Sequence, residues 1–164
     1  MTQERQDTII NSLIDRRITI STMESCTSGM IASMITDTSG ASAIFPGGYV
    51  TYLNETKVLT GVDPEVIATY GVYSRECAVA MAQTACKKLD TDIGIGITGT
   101  TGNLDPYNAD SVQGQAFFSI VWNGNVSVYE INTDVTGKTR HEIKQLYADR
   151  VFEKLAEIIN VKQG

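Results

Sequence analysis

An Asn123-Gly124 dipeptide constrains the fold of this chain more than any other short signal. It joins two runs, 115–122 and 125–133, that are rich in aromatic and β-branched residues. Asn-Gly between two such runs is the preferred two-residue turn of a β-hairpin, in which the two strands pair antiparallel. Any fold assigned to the chain must therefore contain an antiparallel pair of strands.

The earlier strand patterns, at 17–21, 48–52 and 92–98, are separated by helical patterns. A 3.6-residue apolar period predicts helices over 2–16, after Ser25 to about Asp37, over 74–88 and over 137–160, with short helices at 55–59 and 65–70. Strands joined through helices are parallel, whereas the hairpin is antiparallel. The prediction is an α/β fold, a three-layer α/β/α sandwich with a mixed sheet, as one domain over residues 1–164.

The strand pattern at 92–98 alternates isoleucine with glycine. Glycine in the interior of a strand favours close approach of another element to the bare backbone. We therefore expect another part of the chain to pack directly against this segment. The residues that follow, 99–113, lack any periodic pattern and predict a loop that is either functional or a mobile surface segment.

Composition excludes several classes of protein. The chain has 164 residues, 42% hydrophobic content and a formal net charge of -6. An acidic chain without a Lys/Arg cluster is a poor nucleic-acid binder. The absence of a long apolar run and the polar N-terminus predict a cytoplasmic protein without membrane association. Three cysteines without CxxC spacing and a single histidine, His141, predict neither a disulfide framework nor a metal site.

The stretch 22–29, with the sequence TMESCTSG, lies between a predicted strand and a predicted helix. Small hydroxyl residues and glycine at such a junction leave backbone N–H groups free at a positive helix end, where an anion or oxyanion is favoured. Lys57 lies in the first turn of the short helix that Asn54 is predicted to cap. The alternative for the stretch 22–29 is an ordinary helix cap, and the alternative for Lys57 is an exposed lysine on the helix surface.

Four segments resemble, in sequence and order, the CinA C-terminal domain family, the nicotinamide-nucleotide amidohydrolases. They are ESCTSG (24–29), GGYVTYLNETK (47–57), GVYS (71–74) and ITG (97–99). The resemblance covers nearly the whole chain. It implies hydrolysis of the carboxamide of nicotinamide mononucleotide to nicotinate mononucleotide and ammonia, without a metal or organic cofactor. It also implies a small-molecule nucleotide as partner, a homo-oligomer, most simply a dimer, and a stand-alone form without the N-terminal domain of longer relatives.

Carried over by motif, the resemblance makes Ser25 the nucleophile, assisted by Tyr52 and Lys57. A lysine can serve as the base of a serine if burial lowers its pKa toward neutrality. Lys57 could act on Ser25 directly or through the Tyr52 hydroxyl. The predicted substrate-binding residues, including oxyanion donors in the turn and phosphate donors elsewhere, are Thr27, Ser28, Gly29, Gly48, Asn54, Thr98, Gly99, Thr100 and Arg140.

The sequence departs from the family pattern at two places. Ser28-Gly29 stands where a paired glycine is typical, and residues 99–105, GTTGNLD, stand where a Gly-Pro-Gly-Gly-like loop is typical. The second change supports an alternative prediction, a catalytically impaired nucleotide-binding or partner-binding module of the same fold. A thiol enzyme that uses Cys26 is a third possibility.

Overall fold

The computed structural model describes residues 1–161 and contains one mixed five-stranded sheet between two layers of helices. The strands are β1 (Ile20–Glu24), β2 (Gly47–Val50), β3 (Ile93–Gly99), β4 (Gln115–Trp122) and β5 (Asn125–Asn132). The helices are α1 (Gln3–Arg16), α2 (Met30–Thr36), α3 (Asn54–Thr60), α4 (Pro64–Tyr70), α5 (Arg75–Leu89) and α6 (Arg140–Ile158). The predicted α/β/α sandwich with a mixed sheet is confirmed.

The sheet has the order β2-β1-β3-β4-β5. β1 pairs parallel with both β2 and β3, and the predicted hairpin of β4 and β5 adds antiparallel strands beside β3. The chain thus runs from β1 to one neighbouring strand and returns to the other side of β1. In open α/β sheets, ligands bind in the crevice at the carboxyl ends of strands where the order reverses in this way.

Two hydrophobic clusters fill the faces of the sheet. The larger joins α1, α2 and α6 to the isoleucines of β1, β3 and β4 on one face. The smaller surrounds Met23 of β1 with Val62, Val72 and α5 on the other face. Because side chains of a strand alternate between faces, Ile20 and Met23 of the same strand belong to different clusters.

Gly94 and Gly96 of β3 face α5 at close range. A Cβ built on Gly96 would lie 2.3 Å from the Ala78 carbonyl oxygen, and one built on Gly94 would lie 2.2 Å from the Ala82 carbonyl oxygen. The helix backbone therefore rests on the strand backbone, as the alternation of isoleucine and glycine predicted.

Several predicted boundaries are wrong. β1 begins at Ile20, three residues after its predicted start at Arg17. Arg17 instead ends α1: its backbone is in the left-handed conformation (φ 54°), and its N–H donates to the carbonyl oxygens of Ile14 and Leu13. α6 begins at Arg140 instead of Gly137, because Thr139 forms a capping box with Glu142. β2 ends at Val50, which leaves Tyr52 in the connection to α3. Leu53, and not Asn54, is the N-cap of α3.

Candidate functional site

The carboxyl ends of β1 and β2 bring Ser25 and Lys57 together. Ser25 follows the last residue of β1, and Lys57 lies on α3, which follows β2 after a short connection. The Nζ atom of Lys57 lies 3.1 Å from the Ser25 hydroxyl oxygen and 2.9 Å from the Thr51 carbonyl oxygen. The sequence predicted that these two side chains share a cleft, and they do.

Lys57 is deeply buried, with 1% of its surface exposed. None of the ion pairs within residues 1–161 involves it. Burial lowers the pKa of the Lys57 amine below its ordinary value, because the charged form loses hydration that no adjacent carboxylate replaces. A buried amine of this kind can be neutral and basic at a pH where an exposed lysine is fully charged.

A cavity of about 720 Å³ opens beside this pair. Its walls come from the ends of β1 and β3, from the start of α3 and from the loop 100–113. Of the predicted site residues, it is lined by Ser25, Tyr52, Asn54, Lys57, Gly99, Thr100 and Arg140. A volume in this range accommodates a mononucleotide-sized ligand.

The mouth of the cavity carries a tyrosine and an arginine. The Tyr52 hydroxyl accepts a hydrogen bond from the Arg140 guanidinium at 3.0 Å, and 56% of the Tyr52 surface is exposed. Within residues 1–161, the Tyr52 hydroxyl makes no hydrogen bond to Ser25 or Lys57. The direct path between Lys57 and Ser25 is therefore the one that the geometry provides.

The turn between β1 and α2 binds its own carboxylate. Glu24 is fully buried and accepts hydrogen bonds from the N–H groups of Gly29 (3.0 Å), Ile31 (3.1 Å) and Ala32 (2.8 Å), and from the Thr27 hydroxyl (2.7 Å). The positive end of α2 is thus neutralised within the protein. Sequence reasoning missed this role of Glu24, although an acidic residue beside the turn was the available signal.

This arrangement corrects the predicted oxyanion and substrate contacts of the turn. The N–H of Gly29 is bound to Glu24, and the N–H of Ser28 donates to the Ser25 carbonyl oxygen at 3.1 Å. The Ser28 hydroxyl accepts from Lys144 of α6 at 2.6 Å. Thr27, Ser28 and Gly29 are not among the residues that line the cavity. They hold the turn in place.

Two further predicted substrate contacts also have structural roles. Gly48 lies outside the cavity lining, and a Cβ on it would fall 2.2 Å from the Thr22 hydroxyl oxygen, so its lack of a side chain lets β2 pair with β1. Thr98 is fully buried and its hydroxyl donates to the Val72 carbonyl oxygen at 2.9 Å. Neither residue can contact a ligand in the cavity.

The segment after β3 supplies a different donor from the predicted one. The N–H and hydroxyl of Thr100 donate to the carbonyl oxygens of Gln115 and Val112. Thr101 lines the cavity, and its hydroxyl is buried and has no hydrogen-bond partner within residues 1–161. Because a buried hydroxyl without a partner is costly, Thr101 is the better candidate for a ligand contact.

Hydrogen bonds within the loop 100–113, and from Tyr73 and Asn54 outside it, hold the loop beside the cavity. The Asp105 carboxylate accepts from the Tyr73 hydroxyl at 2.6 Å, from the Asn108 side chain and from the Tyr107 N–H at 2.9 Å. Asn54 donates to the Asn108 side chain at 3.1 Å, which joins the loop to α3. The sequence located this loop without identifying Asp105 as its centre.

Cys26 also lines the cavity but is unsuited to nucleophilic chemistry. Burial, with a smaller contribution from the negative charge of Glu24, raises the pKa of the Cys26 thiol to about 12. The thiolate, which is the reactive form, is therefore scarce at neutral pH. This argues against the thiol enzyme.

Among the residues that the structure describes, no group of three or more His, Cys, Asp or Glu side chains is arranged to hold a metal ion. No helix within residues 1–161 has the length and apolar character needed to cross a membrane.

Comparisons with known proteins identify the family. The model of the CinA C-terminal domain matches residues 2–159. A competence-damage inducible protein of Alkaliphilus oremlandii is 35% identical over 157 residues, which are 94% of this chain and 37% of that protein. The chain thus spans little more than a third of the length of that relative.

Solved structures share the fold. The CihA competence/damage inducible protein of Agrobacterium tumefaciens is 31% identical to this chain and has a TM-score of 0.85. The match covers 96% of this chain and 94% of the Agrobacterium chain. A CinA superfamily protein of Klebsiella pneumoniae has a TM-score of 0.88 with 98% of both chains covered, at 22% identity. With the family match over nearly its whole length, this chain belongs to the CinA C-terminal domain family.

Proposed function

We propose that this protein is a serine amidohydrolase that removes the carboxamide nitrogen of nicotinamide mononucleotide as ammonia. The observation that carries the proposal is the 3.1 Å contact between the Lys57 amine and the Ser25 hydroxyl at the wall of a nucleotide-sized cavity. Family membership supports it, and the pyridine nucleotide as substrate is inferred from the resemblance of the ESCTSG and GGYVTYLNETK segments.

In this proposal Lys57 is the general base. Its amine donates one N–H to the Thr51 carbonyl oxygen, which orients the nitrogen toward Ser25. In the neutral form, the nitrogen lone pair accepts the Ser25 O–H, and the oxygen becomes nucleophilic as the proton leaves. Burial, which lowers the Lys57 pKa, favours that neutral form.

The reaction then follows the course of acyl transfer. The Ser25 oxygen attacks the carboxamide carbon while its proton passes to Lys57, and the carboxamide oxygen becomes an oxyanion. The Lys57 ammonium returns the proton to the departing nitrogen, which leaves as ammonia from an acyl-serine ester. Water, deprotonated by the neutral amine, hydrolyses the ester, gives the carboxylate and restores the serine hydroxyl.

The N–H group of Cys26 is the proposed oxyanion donor. Cys26 directly follows the nucleophile and lines the cavity, and within residues 1–161 its N–H donates to no backbone carbonyl or carboxylate, unlike the N–H groups of Ser28 and Gly29. Each such donor contributes roughly 3–4 kcal/mol to the stability of the transition state in known hydrolases. Arg140 and the Thr101 hydroxyl are the proposed donors to the substrate phosphate.

Ammonia release from nicotinamide mononucleotide tests the proposal. Wild type is compared with Ser25→Ala and Lys57→Met, and the matched controls are Ser33→Ala on the exposed side of α2 and Lys87→Met on the exposed side of α5. We expect Ser25→Ala to lower the rate by roughly 10⁴-fold or more and Lys57→Met by about 10²–10⁴-fold, with both controls unchanged. Equal rates for wild type and Ser25→Ala would refute the mechanism.

The same measurement distinguishes the alternative, a binding module without turnover. The observation that favours it is the loop 100–113, whose sequence departs from the family pattern and whose residues line much of the cavity. That alternative requires calorimetric binding of the mononucleotide by wild type together with no ammonia release above the Ser25→Ala background.

A further inference from the structure

The loop 100–113 places a charged carboxylate in the cavity. Asp105 lines the cavity and receives hydrogen bonds from the Tyr73 hydroxyl, the Tyr107 N–H and the Asn108 amide. Partial burial acts to raise the Asp105 pKa, but these hydrogen bonds outweigh it and lower the pKa below its ordinary value. The carboxylate is therefore ionised at neutral pH.

This charge lacks an adjacent cation. None of the ion pairs within residues 1–161 contains Asp105. The Lys57 amine is near enough for the charges to influence each other, but it must be neutral to accept a proton from Ser25. Glu55, which is exposed, adds a second carboxylate to the cavity wall. In the reactive state, this part of the cavity is therefore negative and favours a positively charged ligand group.

Aromatic and apolar surface lies around the same carboxylate. Tyr107 is 90% exposed and Leu104 is 61% exposed, and both line the cavity. Large side chains exposed beside a polar cavity can hold a planar ring, and the face of a tyrosine attracts a cation. Arg140, which also lines the cavity, provides a positive charge for an anionic group of the same ligand.

We propose that Asp105 is a specificity determinant that selects substrates with a positively charged nitrogen heterocycle. The ligand class is a molecule with a cationic ring that bears the carboxamide and an anionic group at its other end. This inference rests on the proposed function, because it assigns the ring of the substrate of Ser25 and Lys57 to a particular wall of the cavity.

Calorimetry on the Ser25→Ala protein, which holds substrate without turnover, tests the inference. The probes are nicotinamide mononucleotide, whose ring is cationic, and its reduced 1,4-dihydro form, whose ring is neutral. Asp105→Asn removes the charge with little change of shape, and Asp105→Glu retains the charge. Asp110→Asn is the matched control, since Asp110 belongs to the same loop but does not line the cavity.

We expect Asp105→Asn to weaken binding of the cationic mononucleotide roughly tenfold, because it removes one charge-assisted contact. Binding of the reduced form should weaken by less than about twofold. Asp105→Glu should recover part of the loss, and Asp110→Asn should change neither. Equal weakening of both probes would overturn the inference, because it would show that Asp105 shapes the loop instead of recognising the ring charge. No weakening of either probe would overturn it as well.

A second pair of probes separates this inference from the proposed function. 1-Methylnicotinamide is cationic and nicotinamide is neutral, and neither has a phosphate. If the mononucleotide does not bind but 1-methylnicotinamide binds more tightly than nicotinamide in a manner that needs Asp105, the nucleotide proposal fails and the ring site stands. If wild type does not prefer 1-methylnicotinamide to nicotinamide, the ring site is refuted, whether or not Asp105→Asn folds.

Discussion

The Tyr52 hydroxyl oxygen lies 3.0 Å from the Arg140 guanidinium, although 88 positions separate the two residues. This bond joins the connection after β2 to the first residue of α6 across the mouth of the cavity. The residue predicted from the sequence to assist the nucleophile is thus held by the residue predicted to bind phosphate. The position of Tyr52 favours a role in substrate binding.

Tyr52→Phe should therefore raise KM about three- to tenfold and change kcat by less than about threefold, because it removes one hydrogen bond that positions Arg140. Arg140→Gln should raise KM by roughly tenfold or more through loss of a charged phosphate contact. In the double variant, the Tyr52→Phe effect should largely disappear, since both changes remove the same bond. A fall in kcat of about 10²-fold or more in Tyr52→Phe, at unchanged KM, would show instead that the hydroxyl transfers the proton.

The buried Lys57 amine should control the acidic side of the pH–rate profile. Burial lowers the pKa of the Lys57 amine, so kcat/KM should rise with pH as the amine loses its proton and should level off below the ordinary value of 10.5. The measurement is kcat/KM for ammonia release between pH 5 and 10. A rise that is complete only near pH 10.5 would contradict a lowered pKa.

The same group gives stability a defined dependence on pH. Between the lowered folded-state pKa and the unfolded value near 10.5, the unfolded chain binds more protons than the folded chain. The free energy of unfolding of wild type, relative to that of Lys57→Met, should therefore increase as pH rises through this interval. Urea unfolding of both proteins at several pH values measures the difference, and a decrease with pH would contradict the sign.

The Glu24 carboxylate should be important for stability apart from catalysis. Glu24→Gln replaces one acceptor oxygen with an N–H₂ group and removes the charge at the start of α2. We expect a loss of about 2–3 kcal/mol in the free energy of unfolding, the usual effect of losing a charged hydrogen bond at a buried site. Glu76→Gln in the first turn of α5 is the control, and it should cost less than about 0.5 kcal/mol. Equal effects of the two changes would refute a specific role of Glu24.

Gly96→Ala should destabilise the fold strongly. The added Cβ would lie 2.3 Å from the Ala78 carbonyl oxygen and 2.4 Å from the Ala82 nitrogen, both on the α5 backbone, so the helix must move away from the sheet. Overpacking of this kind costs about 1–3 kcal/mol or more, measured by urea unfolding. Gly102→Ala, whose Cβ would meet only the Arg140 side chain at 4.0 Å, should change stability little. A fully stable Gly96→Ala protein would show that α5 does not rest on β3.

Local signals accounted for most of the fold. Asn123-Gly124 placed the hairpin, and the capping residues Thr2 and Ser74 placed helix starts. Gly96 indicated close packing against β3, and the structure shows that the partner is α5. These features depend on a few consecutive residues, so their physical causes can be read directly from the sequence. The boundaries of β1 and α6 were missed because they depend on a left-handed Arg17 and on the Thr139 capping box.

The candidate site could be predicted from the sequence only in part. The motif segments located Ser25 and Lys57, and the short connections after β1 and β2 bring them to one edge of the sheet. The binding of Glu24 to the start of α2 was missed, since Ser, Thr and Gly in a turn are equally consistent with a free anion site. The position of Asp105 depends on Tyr73, which is 32 positions away along the chain.

The sequence by itself determined the order of helices and strands, the mixed character of the sheet and the pairing of a serine with a lysine, because each follows from local periodicity or from short motifs. Only the tertiary structure decided which donors remain free for a ligand, since that depends on contacts between residues distant in the chain. Glu24 occupies the end of α2, Arg140 holds Tyr52, and Asp105 faces the cavity that Lys57 shares. Each donor can serve only a few acceptors, so the contacts made on folding decide which donors are left for a ligand.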